Sequence, residues 1–189
     1  NTQAGVDYYT RDIQLTIRDN TISRNKHGIR GERSVYYAET LITENVISDN
    51  DAGNWNGGGI FIGENLGNSQ LTISSNTIEN NRATKGAGMY VDVHQMHPLT
   101  IRNNIIRNNT AANTNDSTSP EGGGVVIQYG VYDSGTSAHI TGNLIEGNVA
   151  DRYGAGSFSL VNGGPSYYSG TVTMSVPQGD NTFKDNTIR

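Results

Sequence analysis

One phrase, Ile-x-x-Asn-x-Ile-x-x-Asn, returns along the whole chain. It reads Ile17-x-x-Asn20-x-Ile22-x-x-Asn25 and Ile42-x-x-Asn45-x-Ile47-x-x-Asn50, and recurs with Asn76 and Asn81, Asn104 and Asn109, and Asn143 and Asn148. A last, weaker copy has Asn181, Phe183 and Asn186. The two Asn of a copy are always 5 positions apart, whereas the first of them falls at 20, 45, 76, 104, 143 and 181. A unit of fixed length joined by segments of varying length marks a repeat architecture, in which a copy buries its apolar face only by stacking on its neighbours.

Two further elements accompany the phrase. Leu15-Thr16-Ile17, Leu71-Thr72-Ile73 and Leu99-Thr100-Ile101 lead into it, and a glycine-rich step into a short apolar run follows it, as in Gly57-Gly58-Gly59-Ile60-Phe61-Ile62 and Gly86-Ala87-Gly88-Met89-Tyr90-Val91. Each repeat thus has three short strands and no stripe of helical period. The expected fold is all-β: a right-handed parallel β-helix of about six rungs, forming a single domain over residues 1–189. Stacked rungs lie about 4.8 Å apart, so identical side chains form columns. An Asn amide both donates and accepts, so Asn20, Asn45, Asn76, Asn104, Asn143 and Asn181 are expected to form one ladder, and Asn25, Asn50, Asn81, Asn109, Asn148 and Asn186 a second. Asn also tolerates the left-handed backbone of a sharp corner, and the glycine pairs suggest corners of positive φ. Ile17, Ile42, Ile73, Ile101 and Ile140 should stack inward as one column, and Ile22, Ile47, Ile78, Ile106 and Ile145 as another.

Composition narrows the functional classes. A net charge of −5 without a basic cluster removes the electrostatic footprint of a nucleic-acid partner. No apolar run is long enough to span a membrane. The chain has 0 Cys, which excludes disulfides and thiolate chemistry. It begins at Asn1 and ends shortly after a ladder Asn, with no cap legible at either end. Either the sequence is a piece of a longer solenoid, or copies associate end to end into a fibre.

The segments Asn50-Asp51-Ala52, Asn81-Arg82-Ala83, Asn109-Thr110-Ala111 and Asn148-Val149-Ala150, each followed by a glycine-rich step, carry a resemblance. The pattern is similar to parallel β-helix repeats of secreted and surface proteins, and most to the Asn-x-Ala repeats of adhesin-like, polymorphic outer-membrane-type proteins. That resemblance implies an extracellular or cell-surface location and an adhesive or structural role, as stalk, filament subunit or adhesin module, with a glycan or a cell-surface protein as partner. Because β-helices also carry lyases, hydrolases and epimerases, a polysaccharide-processing enzyme or a carbohydrate-binding module stands as the alternative.

The varying segments fall at two corners and concentrate the aromatics. Tyr36, Tyr37, Tyr129, Tyr132, Tyr167 and Tyr168 follow the glycine strands, Trp55 and Tyr153 precede them, and Phe61 and Tyr90 lie on the strands, together an expected binding edge. Alternation places Arg30, Phe61, Tyr90 and Val126 in one outward column and Glu32, Gly63, Asp92 and Gln128 in the next. The fifth copy is offset by one residue. For the enzymatic alternative, the candidate is Asp92-x-His94-x-x-His97, a carboxylate and two imidazoles able to share a proton or a metal. No metal motif is complete and no cofactor is indicated, with calcium left open by Asp/Asn-rich loops such as Asp49-Asn50-Asp51.

Overall fold

The structure, a computed structural model, describes residues 3–9, 11–32, 38–63, 69–92, 96–112, 122–129, 137–151, 158–162, 173–175 and 180–188, with the side chains of 96, 97, 129, 158–162, 173–175 and 188 left aside. Every strand pairs in parallel with the equivalent strand of the next turn, and the chain coils through three six-stranded sheets. The first sheet comprises Ala4–Tyr8, His27–Gly31, Ile60–Ile62, Met89–Asp92, Val125–Tyr129 and Phe158–Asn162. The second comprises Gln14–Arg18, Glu39–Thr43, Ser69–Ser74, Met96–Arg102, Ser137–Thr141 and Thr173–Ser175. The third comprises Thr21–Ser23, Val46–Ser48, Thr77–Glu79, Ile105–Arg107, Leu144–Glu146 and Thr182–Lys184. This is the parallel β-helix expected from the repeat. Two differences stand out. The polar start of the chain contributes a strand of its own, Ala4–Tyr8, to the first sheet, and three of the Asn-x-Ala segments, Arg82–Ala83, Thr110–Ala111 and Val149–Ala150, form a fourth, four-stranded sheet with Thr187–Ile188.

Both ladders form as expected. The backbone N–H and the Nδ2 of Asn45 donate to Asn76 Oδ1, both at 3.0 Å, and those of Asn76 donate in turn to Asn104 Oδ1 at the same distance. The second Nδ2 hydrogen reaches back to a carbonyl of the preceding rung, as from Asn76 to Ile42 and from Asn104 to Ile73. The second ladder repeats the arrangement from Asn50 through Asn81 and Asn109 to Asn148 and Asn186. Asn45, Asn50, Asn76, Asn81, Asn104, Asn109, Asn143 and Asn148 are buried, and each finds partners for its amide inside the protein. Their bonds run in one direction, from donors on one rung to Oδ1 on the next.

The left-handed corner residue is the one before the ladder Asn, not the Asn itself. Positive φ occurs at Asp19, Glu44, Ser75, Asn103 and Gly142 ahead of the first ladder, and at Arg24, Asp49, Asn80, Asn108, Gly147 and Asp185 ahead of the second. The ladder requires the Asn side chain to point inward at a fixed height, so its neighbour absorbs the sharp turn. At about 1–2 kcal/mol per non-Gly residue this strain is tolerable when each turn closes several hydrogen bonds.

The glycines divide similarly. Gly57, Gly86 and Gly122, which open the steps, take positive φ as expected. Gly59 and Gly88 do not, and are needed for space: a Cβ on Gly88 would lie 2.5 Å from the Gly124 carbonyl oxygen and 2.9 Å from Ile106 Cγ2. Inside the coil the two Ile columns, together with Leu71, Leu99, Ile60, Met89 and Val125, form a continuous apolar core. A smaller cluster of Ala52, Ala83, Ala87, Ala111 and Ala150 fills the corner by the fourth sheet, where only a methyl group is found. In the second sheet Thr40 stands in register with Leu15 and Leu71, and its hydroxyl meets that of Tyr8, whose burial holds the phenol well above its ordinary pKa.

Asn104→Leu is expected to destabilise the protein by about 3 kcal/mol or more, because it removes the acceptor of two Asn76 donors and the side-chain donor to the Ile73 carbonyl and Asn143 Oδ1 at once. Gly88→Ala, in spite of an ordinary φ, should cost about 1–3 kcal/mol through overpacking. Urea unfolding of both variants checks these values.

Candidate functional site

The outward column of the first sheet runs Asp7, Arg30, Phe61, Tyr90 and Val126, all in register, and register continues to Ser159, consistent with the one-residue offset of the fifth copy. Its character changes along the axis. Arg30 and Phe61 are partly exposed, whereas Tyr90 and Val126 are buried, so this face is open at its early rungs and covered at its middle ones.

At the open end a cleft follows the column. One part, about 540 Å³, lies among Tyr9, Glu32, Asn56, Phe61, Gly63, Tyr90 and Asp92. A second, about 350 Å³, shares Glu32, Asn56 and Phe61 and extends to His27, Arg30 and Trp55. These sizes are within the range of roughly 300–1,000 Å³ typical of ligand clefts. The floor is a stack of rings from three successive rungs. Phe61 and Tyr90 are parallel, 9° between planes with centroids 5.6 Å apart, and His27 packs on Phe61 at 5.7 Å. Gly63 leaves room for the Phe61 ring, since a Cβ there would lie 3.0 Å from Phe61 Cε1. Tyr9 and Trp55 stand beside the floor and are 63% and 62% exposed.

The loop carrying Trp55 is held from the rung above. Thr84 N–H donates to the Trp55 carbonyl at 2.8 Å and Gly57 N–H to that of Lys85 at 2.9 Å, while Asp51 Oδ1 accepts from Gly53 N–H in an Asx turn. Lys26 Nζ lies 4.3 Å from the Trp55 ring centroid, a cation–π contact. Arg30 bridges Asp7 and Glu32, so one positive charge is shared by two carboxylates that line the cleft. The Tyr90 hydroxyl donates to Gln128 Oε1, and the Gln128 amide reaches Asp92 Oδ2 at 3.5 Å, so the largely buried Asp92 belongs to a polar network beside the aromatic floor.

Of the expected binding edge, Trp55, Phe61 and Tyr90 converge on this cleft. Tyr36, Tyr37, Tyr132, Tyr153, Tyr167 and Tyr168 lie outside the described residues, as does the side chain of Tyr129. In the expected acid–base cluster Asp92 lines the cleft, whereas His94 and the side chain of His97 lie outside the described residues. Among the described residues, no three His, Asp or Glu side chains are grouped to hold a metal. Tyr9 and His27 were not singled out by sequence. The only signal for them was the alignment of Ala4–Tyr8 beside His27–Gly31, which no repeat motif marks.

His27 Nδ1 donates to the Gly57 carbonyl at 2.8 Å, which fixes the tautomer of the neutral ring. Burial holds its pKa below the ordinary value, helped by Lys26 and Arg30 and opposed by the Gly57 bond and Asp7. A base with a lowered folded-state pKa binds protons more readily when unfolded, so its contribution is complete above about pH 6.5 and falls as the pH drops toward the folded-state value. The stability advantage of the wild type over His27→Gln should therefore shrink below pH 6.5, by at most about 1.4 kcal/mol per pH unit, in urea titrations between pH 8 and 5.

A family model described as a right-handed beta helix region matches residues 1–188. No curated protein and no solved structure matches the chain. With that match over nearly its whole length, and with parallel sheets and two Asn ladders in register, the chain belongs to the right-handed β-helix family.

Proposed function

We propose that this chain is an adhesive β-helix module working outside the cell or at its surface, a stiff spine that presents one recognition face. The observation that carries the reading is the cleft of the first sheet, with its ring-stacked floor and the exposed Tyr9 and Trp55 beside it. Large aromatic side chains left in water next to a formed concavity are unfavourable unless a partner covers them, and Trp and Tyr dominate the energetics of such contacts. The ladders support the role differently: a spine in which each rung is bonded to the next suits a part that bears load. This favours adhesion over the polysaccharide-processing alternative, for which Asp92, inside a hydrogen-bonded network, is a weak acid–base candidate. Beads coated with the protein should be retained on polysaccharide- or protein-coated surfaces under flow, and Trp55→Ala with Tyr9→Ala should reduce retention at least about tenfold. Equal retention of wild type and double variant would remove the cleft from the adhesive role.

A second property rests on a separate observation. The ladders are directional, with N–H and Nδ2 donors on one rung meeting Oδ1 acceptors on the next. Head-to-tail association of copies would continue that pairing, making a heterologous contact that extends into a rod. Sedimentation across a concentration series, with electron microscopy of the same samples, should reveal rods that lengthen with concentration. A concentration-independent monomer would exclude this association.

A further inference from the structure

Resting on the reading of the first-sheet cleft as a recognition surface, we propose that its ligand is a neutral glycan, a chain of uncharged sugar rings, and that the cleft discriminates against acidic polymers.

The argument begins with charge. Two cations reach the cleft among the described residues: Arg30 is shared between Asp7 and Glu32, and Lys26 lies over Trp55. A polymer of uronic acids would find Arg30 already shared between two carboxylates, and would bring its own carboxylates against Glu32 and Asp92 in a protein of net charge −5. Arg30 carries one positive charge for the two carboxylates of Asp7 and Glu32, so this group stays net anionic, and Asp92 is 7% exposed within the Gln128 network. Freeing Arg30 for a uronate means breaking an existing pair, and leaving one partner of a partly desolvated pair behind is costly.

The remaining surface fits hydroxyl-rich rings. Phe61 and Tyr90 expose only part of their stack, whose faces are occupied by each other and by His27, so the floor is a rigid apolar strip. The exposed aromatic surface belongs to Tyr9 and to Trp55, one face of which carries Lys26, with one ring beside each part of the cleft. The C–H face of a sugar ring packs on such surfaces, and its hydroxyls both donate and accept. Between the two rings lies Asn56, which lines both parts and whose amide can answer hydroxyls in either sense, with carboxylate oxygens of Glu32 as further acceptors. Glu32, with one oxygen on Arg30, keeps lone pairs that can accept from hydroxyl donors.

Isothermal titration calorimetry of the intact chain with cellohexaose, xylohexaose and mannohexaose, against trigalacturonate and the chitosan hexamer, tests this. At least one neutral oligosaccharide should bind about tenfold or more tightly than trigalacturonate, with little dependence on salt. Tyr9→Ala and Trp55→Ala, at exposed positions that folding does not need, should each weaken it about tenfold, the scale of one lost stacking contact. Glu32→Gln takes one of two carboxylates from Arg30 and should shift the preference toward trigalacturonate. Preferential, salt-sensitive binding of either charged probe, or no binding of any neutral probe at millimolar concentration, would overturn the proposal. If coated beads still adhere through Tyr9 and Trp55 while neutral probes fail, the ligand class alone falls; if adhesion is also lost to mutation-independent background, the recognition reading falls with it.

Discussion

The structure depends on a hydrogen bond that an Asn side chain makes to its own kind one rung away. In each ladder one Oδ1 accepts both the backbone N–H and the Nδ2 of the rung below it, as Asn104 Oδ1 does for Asn76. A carboxylate could accept these bonds but not pass them on, and a Gln would place its amide at the wrong distance from the corner. Satisfying a buried corner in a fold about one apolar layer thick leaves few choices, since an unpaired group costs about 1–3 kcal/mol and no water reaches it. The constraint propagates outward. It fixes the 5-residue spacing within each copy, forces the preceding residue into the left-handed region, and sets the height at which every Ile column stacks.

What could be read in the sequence follows the same logic. A ladder acts at every rung, so it leaves an identical mark six times, and the two Asn columns, the Ile columns and the outward column through Phe61 and Tyr90 were all visible. Features that the stacked coil imposes without a fixed residue type, or that only neighbouring rungs create, were not. Arg24 and Glu44 do not look like residues of positive φ, and take it because the ladder on either side decides the backbone. Gly59 and Gly88 resemble turn glycines but serve a close approach of rungs that only the stacked coil creates. His27 and Tyr9 join the cleft through neighbours on adjacent rungs, a relation that sequence distance conceals.

The cleft inherits its geometry from the scaffold. Phe61 and Tyr90 stack because consecutive rungs place equivalent residues about 4.8 Å apart, close to the ring separation that offset stacking prefers. His27 extends the stack from the rung below, and Gly63 provides space on the rung of Phe61. Arg30 occupies the same column one rung earlier, with Asp7 a further rung back and Glu32 in the adjacent column, so the apolar floor and the polar rim lie side by side along the axis.

Division of labour between ladder and loop explains how such a face is elaborated without loss of the fold. The Trp55 segment is bonded chiefly to the rung above, through Thr84 and Lys85, while Asn50 at its start and Ile60 at its end keep their places in the columns. A longer or shorter segment changes what stands on the face but leaves rung height and register untouched. Loop-closure entropy grows only slowly with length, by about 0.6 kcal/mol per doubling, so spacing between copies can vary from 25 to 39 residues at little cost. The ladder tolerates no such variation, because a shift of one residue would turn its amides out of the coil. Specificity therefore resides where the chain is free to vary, and the invariant spacing is what allows it to do so.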